Sequence, residues 1–236
     1  MTRAGRFANW PSAAAPVSAA TLAREMAAVA QVLLKPPPFP EDAARGSGQP
    51  VIVIPGFLSP DVTTARLREF LNGQEFIAQP WNCGLNVGPL PRVVADVERQ
   101  VRDMAEATCK PVALVGVSLG GTIAREVAKS CRGPIARVIT LVSPLHLPVT
   151  TPLAPLAEAA SLLWDMQQLD ALTAIAEPPP VPLTALFSRD DGVIDWRASV
   201  PHEAETVEVV EVSGPHMTVC SNPQVQRIVA DRLARR

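Results

Sequence analysis

The chain has 236 residues, 47% of them apolar, enough to bury the core of one α/β domain. Its 21 basic and 23 acidic residues leave a formal charge of −2, with no basic stripe suited to nucleic acid or an anionic membrane. The lack of tyrosine excludes any mechanism that needs a phenol, while 25 prolines, well above the usual level of about 5%, raise the question of disorder.

Where the prolines fall answers that question. They gather at 36–40, 50–60, 144–155 and 178–182, and the stretches 92–110, 112–133, 156–177 and 224–236 contain none. An interior proline costs a helix roughly 3 kcal/mol, so this sorting marks helices separated by proline-rich connections. In chain order, residues 18–34 are rich in alanine and leucine at helical spacing and stop at Pro36-Pro37-Pro38. A linker runs from there to Gly48, so residues 1–49 read as an N-terminal helix and linker preceding a domain over 50–236. Val51-Ile52-Val53-Ile54, between Pro50 and Pro55-Gly56, has the unbroken apolar run of a strand buried on both faces. Asp61 can cap a helix to about Leu71, with Asn72-Gly73 as its stop, and 75–78 is the next strand. Residues 92–108 form an amphipathic helix with Val93, Val94, Val97, Val101 and Met104 on one face.

The second half repeats the rhythm. Residues 111–115 are a buried strand that passes through Gly116-Val117-Ser118-Leu119-Gly120-Gly121 into a helix over about 122–131. Further strands fall at 138–142, 182–187 and 206–212, with a closing helix over 223–233. Strands alternating with helices predict an α/β fold, a mostly parallel central sheet with helices on both faces. Residues 144–180 break the alternation. They read as a small helical cap insertion, either shielding an apolar substrate or simply packing on the sheet edge.

The four cysteines lack C-x-x-C spacing and accompany only three histidines, which argues against zinc and for free, buried thiols. No clean apolar signal segment follows Arg3 and Arg6, and no run approaches the ~18 apolar residues of a membrane span. A cytoplasmic protein without an integral membrane segment is the expectation; the oligomeric state is not encoded legibly.

Chemistry concentrates at three places. G-x-S-x-G over 116–120, between an apolar strand and a helix, lets the backbone turn sharply and lifts the Ser118 hydroxyl above the strand ends. A serine nucleophile needs a base, and the chain order nucleophile, acid, histidine removes His146, which precedes every acid loop. His216 follows the 206–212 strand through Ser213-Gly214-Pro215, at the strand end where sites collect. His202 lies ahead of that strand and reads as a surface residue. The acid belongs after the 182–187 strand, where Asp190, Asp191 and Asp195 compete. Asp191, beside Gly192 for the turn and Val193-Ile194 for anchorage, is preferred; the others read as turn or cap aspartates. Its task would be to hold the imidazole tautomer and stabilise imidazolium as His216 takes the Ser118 proton. Backbone N–H groups of Leu119 and Phe57 are the expected oxyanion donors, with an apolar wall as the other reading of Phe57.

Jointly, P-G-F at 55–57, W-N-C-G-L-N at 81–86, G-V-S-L-G-G at 116–121, S-R-D-D-G-V-I-D-W at 188–196 and S-G-P-H at 213–216 resemble the α/β-hydrolase superfamily, bacterial esterase and lipase type. The resemblance covers about 50–235. It implies a Ser118, Asp191, His216 triad, an acyl-enzyme hydrolysed by water, and no metal or organic cofactor; a small-molecule ester with an apolar acyl group is the substrate expected from the apolar cap and the few charges near the motifs. The chain departs from many lipases at Pro55, where they carry histidine before the oxyanion-loop glycine. By analogy Trp81 and Asn86 line the pocket, or else serve loop structure. An acyltransferase or thioesterase could use the same triad, and a silent relative could bind a ligand without turnover.

Overall fold

A computed structural model describes residues 19–88, 91–131, 133–145, 151, 177–200 and 207–235. Its elements are helix α1 (Ala19–Leu34), strand β1 (Pro50–Ile54), helix α2 (Ala65–Gly73), strand β2 (Ile77–Pro80), helix α3 (Pro91–Thr108), strand β3 (Val112–Val117) and helix α4 (Leu119–Ser130). Strands β4 (Ile135–Leu141), β5 (Leu183–Ser188) and β6 (Val207–Val212) and helix α5 (Pro223–Ala234) follow. Short 3-10 turns occupy Asp61–Thr64, Trp196–Ser199 and His216–Ser221.

The six strands form one sheet in the order β2-β1-β3-β4-β5-β6, and every described pairing is parallel. Strands β1, β3 and β5 are buried at every position, as continuous apolar runs demand. The edge strands β2 and β6 are only partly covered. Side chains alternate across the sheet. Val51 and Val53 therefore join Leu67, Phe70 and Leu71 of α2 and Val225, Val229 and Leu233 of α5. Ile52 and Ile54 join Val93, Val97, Val101 and Met104 of α3 and Ile123 and Val127 of α4 on the other face. Each such side chain, fully buried, stabilises the fold by about 1.5–3 kcal/mol relative to exposure, so the two layers hold the sheet between them.

Several local expectations shift: α4 begins at Leu119 rather than near 122, and β4 at Ile135 rather than 138. Asp61 does not cap a helix with its side chain; its Oδ1 accepts the Trp81 N–H at 3.2 Å, and a 3-10 turn precedes α2. Glu75 adopts φ 68°, which turns the chain and delays β2 to Ile77. Asn72 spans that turn, accepting from Ala78 N at 2.8 Å and donating to Ala78 O at 3.1 Å.

The strand order reverses between β1 and β3, because β1 leads outward to β2 while β3 leads the other way to β4. A crevice opens beyond the carboxyl ends of the strands at such a point, between the loop after β1 and the start of α4. The roots of the proposed cap are described at Leu145 and Glu177. Arg125 of α4, 1% exposed, joins them by donating Nη1 to Leu145 O at 3.2 Å and Nη2 to Glu177 O at 2.8 Å. The cap itself, placed at 144–180, falls largely outside the described residues, as do His146 and His202.

Candidate active site

Ser118 follows β3 with φ 51° and ψ −125°. A non-glycine residue in that region costs about 1–3 kcal/mol and persists only where neighbours hold it. Here Ser118 N donates to Leu141 O at 2.8 Å and Gly121 N donates to Ser118 O at 2.9 Å. The flanking glycines serve close approach. A Cβ on Gly116 would strike the backbone of Gly120 and Gly121, and one on Gly120 would strike the carbonyls of Ile54 and Pro55. The start of α4 thus presses onto the end of β1, bringing Gly56 so near that a Cβ there would lie 3.3 Å from Ser118 Cβ.

Among the described residues, the Ser118 hydroxyl and the backbone N–H groups of Phe57 and Leu119 make no hydrogen bond. For Leu119 this follows from its place as the first residue of α4, where amides have no partner within the helix. The loop carrying Phe57 is braced by Asn86, which is fully buried. Its Nδ2 donates to Pro55 O at 2.7 Å, its Oδ1 accepts from Gly88 N at 3.0 Å, and its carbonyl accepts from Leu58 N at 2.7 Å. Trp81 is buried too, its Nε1 donating to Gly84 O at 3.1 Å. Neither lines the cavity beside Ser118, so both serve loop structure.

The three aspartates separate by their partners. Asp191 Oδ2 lies 2.7 Å from His216 Nδ1, and Asp191 Oδ1 accepts from Val193 N and Ile194 N at 2.8 Å each. These two side chains are 1% and 8% exposed, so the pair is held away from solvent. Asp190 Oδ2 accepts from Gly214 N at 2.9 Å and ties the loop after β5 to the loop after β6. Asp195 caps the 3-10 turn that follows it by accepting from Arg197 N at 3.0 Å. Gly192 is not there for a positive φ. A Cβ at that position would meet Glu25 Cγ at 2.8 Å, so glycine gives room to a side chain from α1.

Ser118 and His216 share the wall of a cavity of about 340 Å³ with Gly56, Phe57 and a mostly apolar set that includes Val117, Val193 and Val219. Helix α1 contributes Leu22 and Met26 to the same wall. Cys220 also faces it, but burial pushes its thiol up to about 12, leaving it a poor nucleophile. Of the four free cysteines only Cys220 is buried; Cys83 and Cys131 are half-buried and Cys109 is exposed, contrary to the expectation of four buried thiols. No cluster of His, Cys, Asp and Glu among the described residues could hold a metal ion.

The Alpha/beta hydrolase family model matches residues 51–232, more than half of the chain. The chain belongs to the α/β-hydrolase family. As an α/β hydrolase it resembles solved structures at low identity. One is a monoacylglycerol lipase of Paleococcus ferrophilus, at 16% identity and TM-score 0.55, covering 79% of this chain and 96% of that one. An esterase of Pyrococcus furiosus is similar at 18% identity and TM-score 0.60, over 80% of this chain and 83% of its own. Lipase B of Aspergillus fumigatus is similar at 16% identity and TM-score 0.61, over 84% of this chain and 55% of its own. No curated protein sequence matches the chain. No described helix of this α/β hydrolase is long and apolar enough to cross a membrane.

Sequence reasoning missed what α1 contributes. The family match begins at residue 51, yet Leu22, Glu25 and Met26 reach the cavity or the loops around it. The available signal was Glu25 itself, an acid beside Arg24 in a helix otherwise without charge over 18–34.

Proposed function

We propose that this α/β hydrolase cleaves carboxylic esters of small molecules with apolar acyl groups, through a Ser118, His216 and Asp191 triad. The observation that carries the reading is the buried Asp191–His216 pair, at 2.7 Å, on the same cavity as a serine held at φ 51°. Asp191 accepts from Nδ1–H of His216, which leaves Nε2 as the unprotonated nitrogen. As Ser118 Oγ attacks the ester carbonyl, Nε2 takes its proton and the buried carboxylate offsets the charge that forms on the ring. Developing charge on the carbonyl oxygen is received by the N–H groups of Phe57 and Leu119, both without other partners among the described residues. The imidazolium then protonates the departing alcohol, leaving the acyl group on Ser118. Water, deprotonated by His216, attacks that acyl-enzyme; the acyl C–Oγ bond breaks, the imidazolium returns the proton to Ser118 Oγ, and the acid is released.

An apolar acyl group suits the cavity walls, and the names of the lipases and esterases of similar fold are consistent with that class. The cysteines, all free, favour a reducing compartment such as the cytoplasm. Hydrolysis of p-nitrophenyl esters of graded acyl length tests the reading. Ser118→Ala should lower kcat by at least about 10⁴-fold with the fold intact by circular dichroism. Undiminished turnover in that variant would remove Ser118 from the mechanism.

A further inference from the structure

Glu25 sits in α1, ahead of the segment that matches the family, and is 1% exposed. Its Oε1 accepts from Gly192 N and His216 N, and its Oε2 accepts from Met217 N, each at 2.8 Å. A carboxylate is acceptor at both oxygens, so it satisfies three backbone donors, two of which, on Gly192 and His216, would otherwise be buried without partners. Gly192 immediately follows the acid of the proposed triad, and His216 is its base. One oxygen of Glu25 therefore holds both loops, and the spacing between them depends on where α1 presents it. Glycine at 192 allows this approach: a Cβ would come 2.8 Å from Glu25 Cγ and 3.0 Å from Oε1. The preceding residue, Arg24, also reaches the acid loop, its Nη2 lying 3.8 Å from Asp190 Oδ1.

We propose that Glu25 is a positioning residue of the hydrolytic site, holding the Asp191 loop and the His216 loop in the relative placement that proton transfer needs. The proposal rests on the hydrolase reading above. Glu25 touches neither substrate nor reacting atoms; it acts through the backbone of the two loops. Besides the Asp191–His216 side-chain contact itself, bonds from Gly214 N to Asp190 Oδ2 at 2.9 Å and from Ser188 Oγ to Gly214 O at 2.6 Å also tie these loops, but both end two residues short of His216. Glu25 alone of these ties bonds the His216 backbone itself.

Glu25→Gln is the informative change, because it preserves size while placing an NH₂ group where one carboxylate oxygen accepted. At least one backbone donor then faces another donor. Active sites are counted by titration with a fluorophosphonate, and steady-state hydrolysis of p-nitrophenyl butyrate is expressed per titrated site. A residue needed only for folding changes the number of sites; a positioning residue changes turnover at each site. Glu25→Gln should lower kcat per titrated site roughly tenfold and Glu25→Ala by about 10²-fold, with KM within about twofold. Gly192→Ala, which displaces Glu25, should lower kcat per site in the same direction. Wild-type kcat per titrated site in Glu25→Gln overturns the proposal, whatever its thermal stability, and so does a rise in KM with kcat unchanged. A wild-type protein that neither titrates nor hydrolyses the ester overturns the hydrolase reading and this role with it. Activity in the wild type that is equal in Glu25→Gln overturns this role alone.

Discussion

Three aspartates lie within six positions, and only their partners distinguish them. Asp191 meets His216, Asp190 meets a backbone amide, and Asp195 caps a turn. Asp191→Asn should therefore lower kcat by about 10⁴-fold, since the imidazole tautomer is then wrong. Asp190→Asn keeps an oxygen for Gly214 N, and its kcat should stay within about tenfold of wild type. Steady-state kinetics of the two variants checks this, and the reverse ranking would move the acid by one residue. Ser118 and His216 are legible as candidates from order along the chain and strand ends, whereas these leave the three aspartates level, and the preference for Asp191 meets its partner only in the 2.7 Å contact with His216. Glu25 was not legible, because its partners are backbone amides of loops far along the chain, and a backbone amide leaves no residue-type signature. Asn86 was visible as a polar residue in a loop, but nothing in the sequence says that it holds Pro55 rather than facing a ligand.

At the scale of elements, strands were read from apolar runs and helices from proline-free amphipathic stretches, and both signals are strongest where burial is complete. Boundaries moved at Asp61, whose side chain takes the Trp81 amide, and at Glu75, whose positive φ turns the chain. Helix α1 was predicted as a helix, yet its docking was not, since an alanine-rich segment displays no single marked face. Its Leu22 and Met26 line the cavity while remaining partly exposed. Leu22→Ala or Met26→Ala should weaken discrimination for longer acyl chains, each raising KM for octanoate esters by up to about tenfold while leaving acetate esters unchanged. A panel of acyl lengths measures this; a uniform effect on all esters would place the acyl group elsewhere. Helix α4 has a second structural task through Arg125, whose guanidinium burial pulls down to about 10. Arg125→Ala strands the Leu145 and Glu177 carbonyls and should cost about 2 kcal/mol or more in urea unfolding.

The described strands form one parallel sheet with a helical layer on each face, and the alternation of strands and helices made that architecture legible. What covers the carboxyl edge was harder to read, because it depends on contacts between segments distant in sequence. Helix α5 closes the fold against β6 through Arg232, which bonds Glu208 at 2.8 and 2.7 Å. The Arg232 hydrogen bond holds the Glu208 carboxyl below its ordinary value of 4.5. A depressed carboxyl contributes stability that is present above pH 4.5 and lost as pH falls through the lower, folded value. Because this carboxylate is partly exposed, the contribution is below about 1 kcal/mol. Melting temperatures of wild type and Glu208→Gln should therefore converge as pH falls below 4.5, whereas parallel curves would show that the pair adds nothing.

Everything proposed for the site requires Ser118 to be its nucleophile. The most direct measurement is mass spectrometry of the peptide carrying the adduct after reaction with a fluorophosphonate. One adduct per chain is expected, on Ser118, formed far more slowly in His216→Ala and absent in Ser118→Ala. An adduct on another residue, or equal labelling of the Ser118→Ala protein, would contradict it.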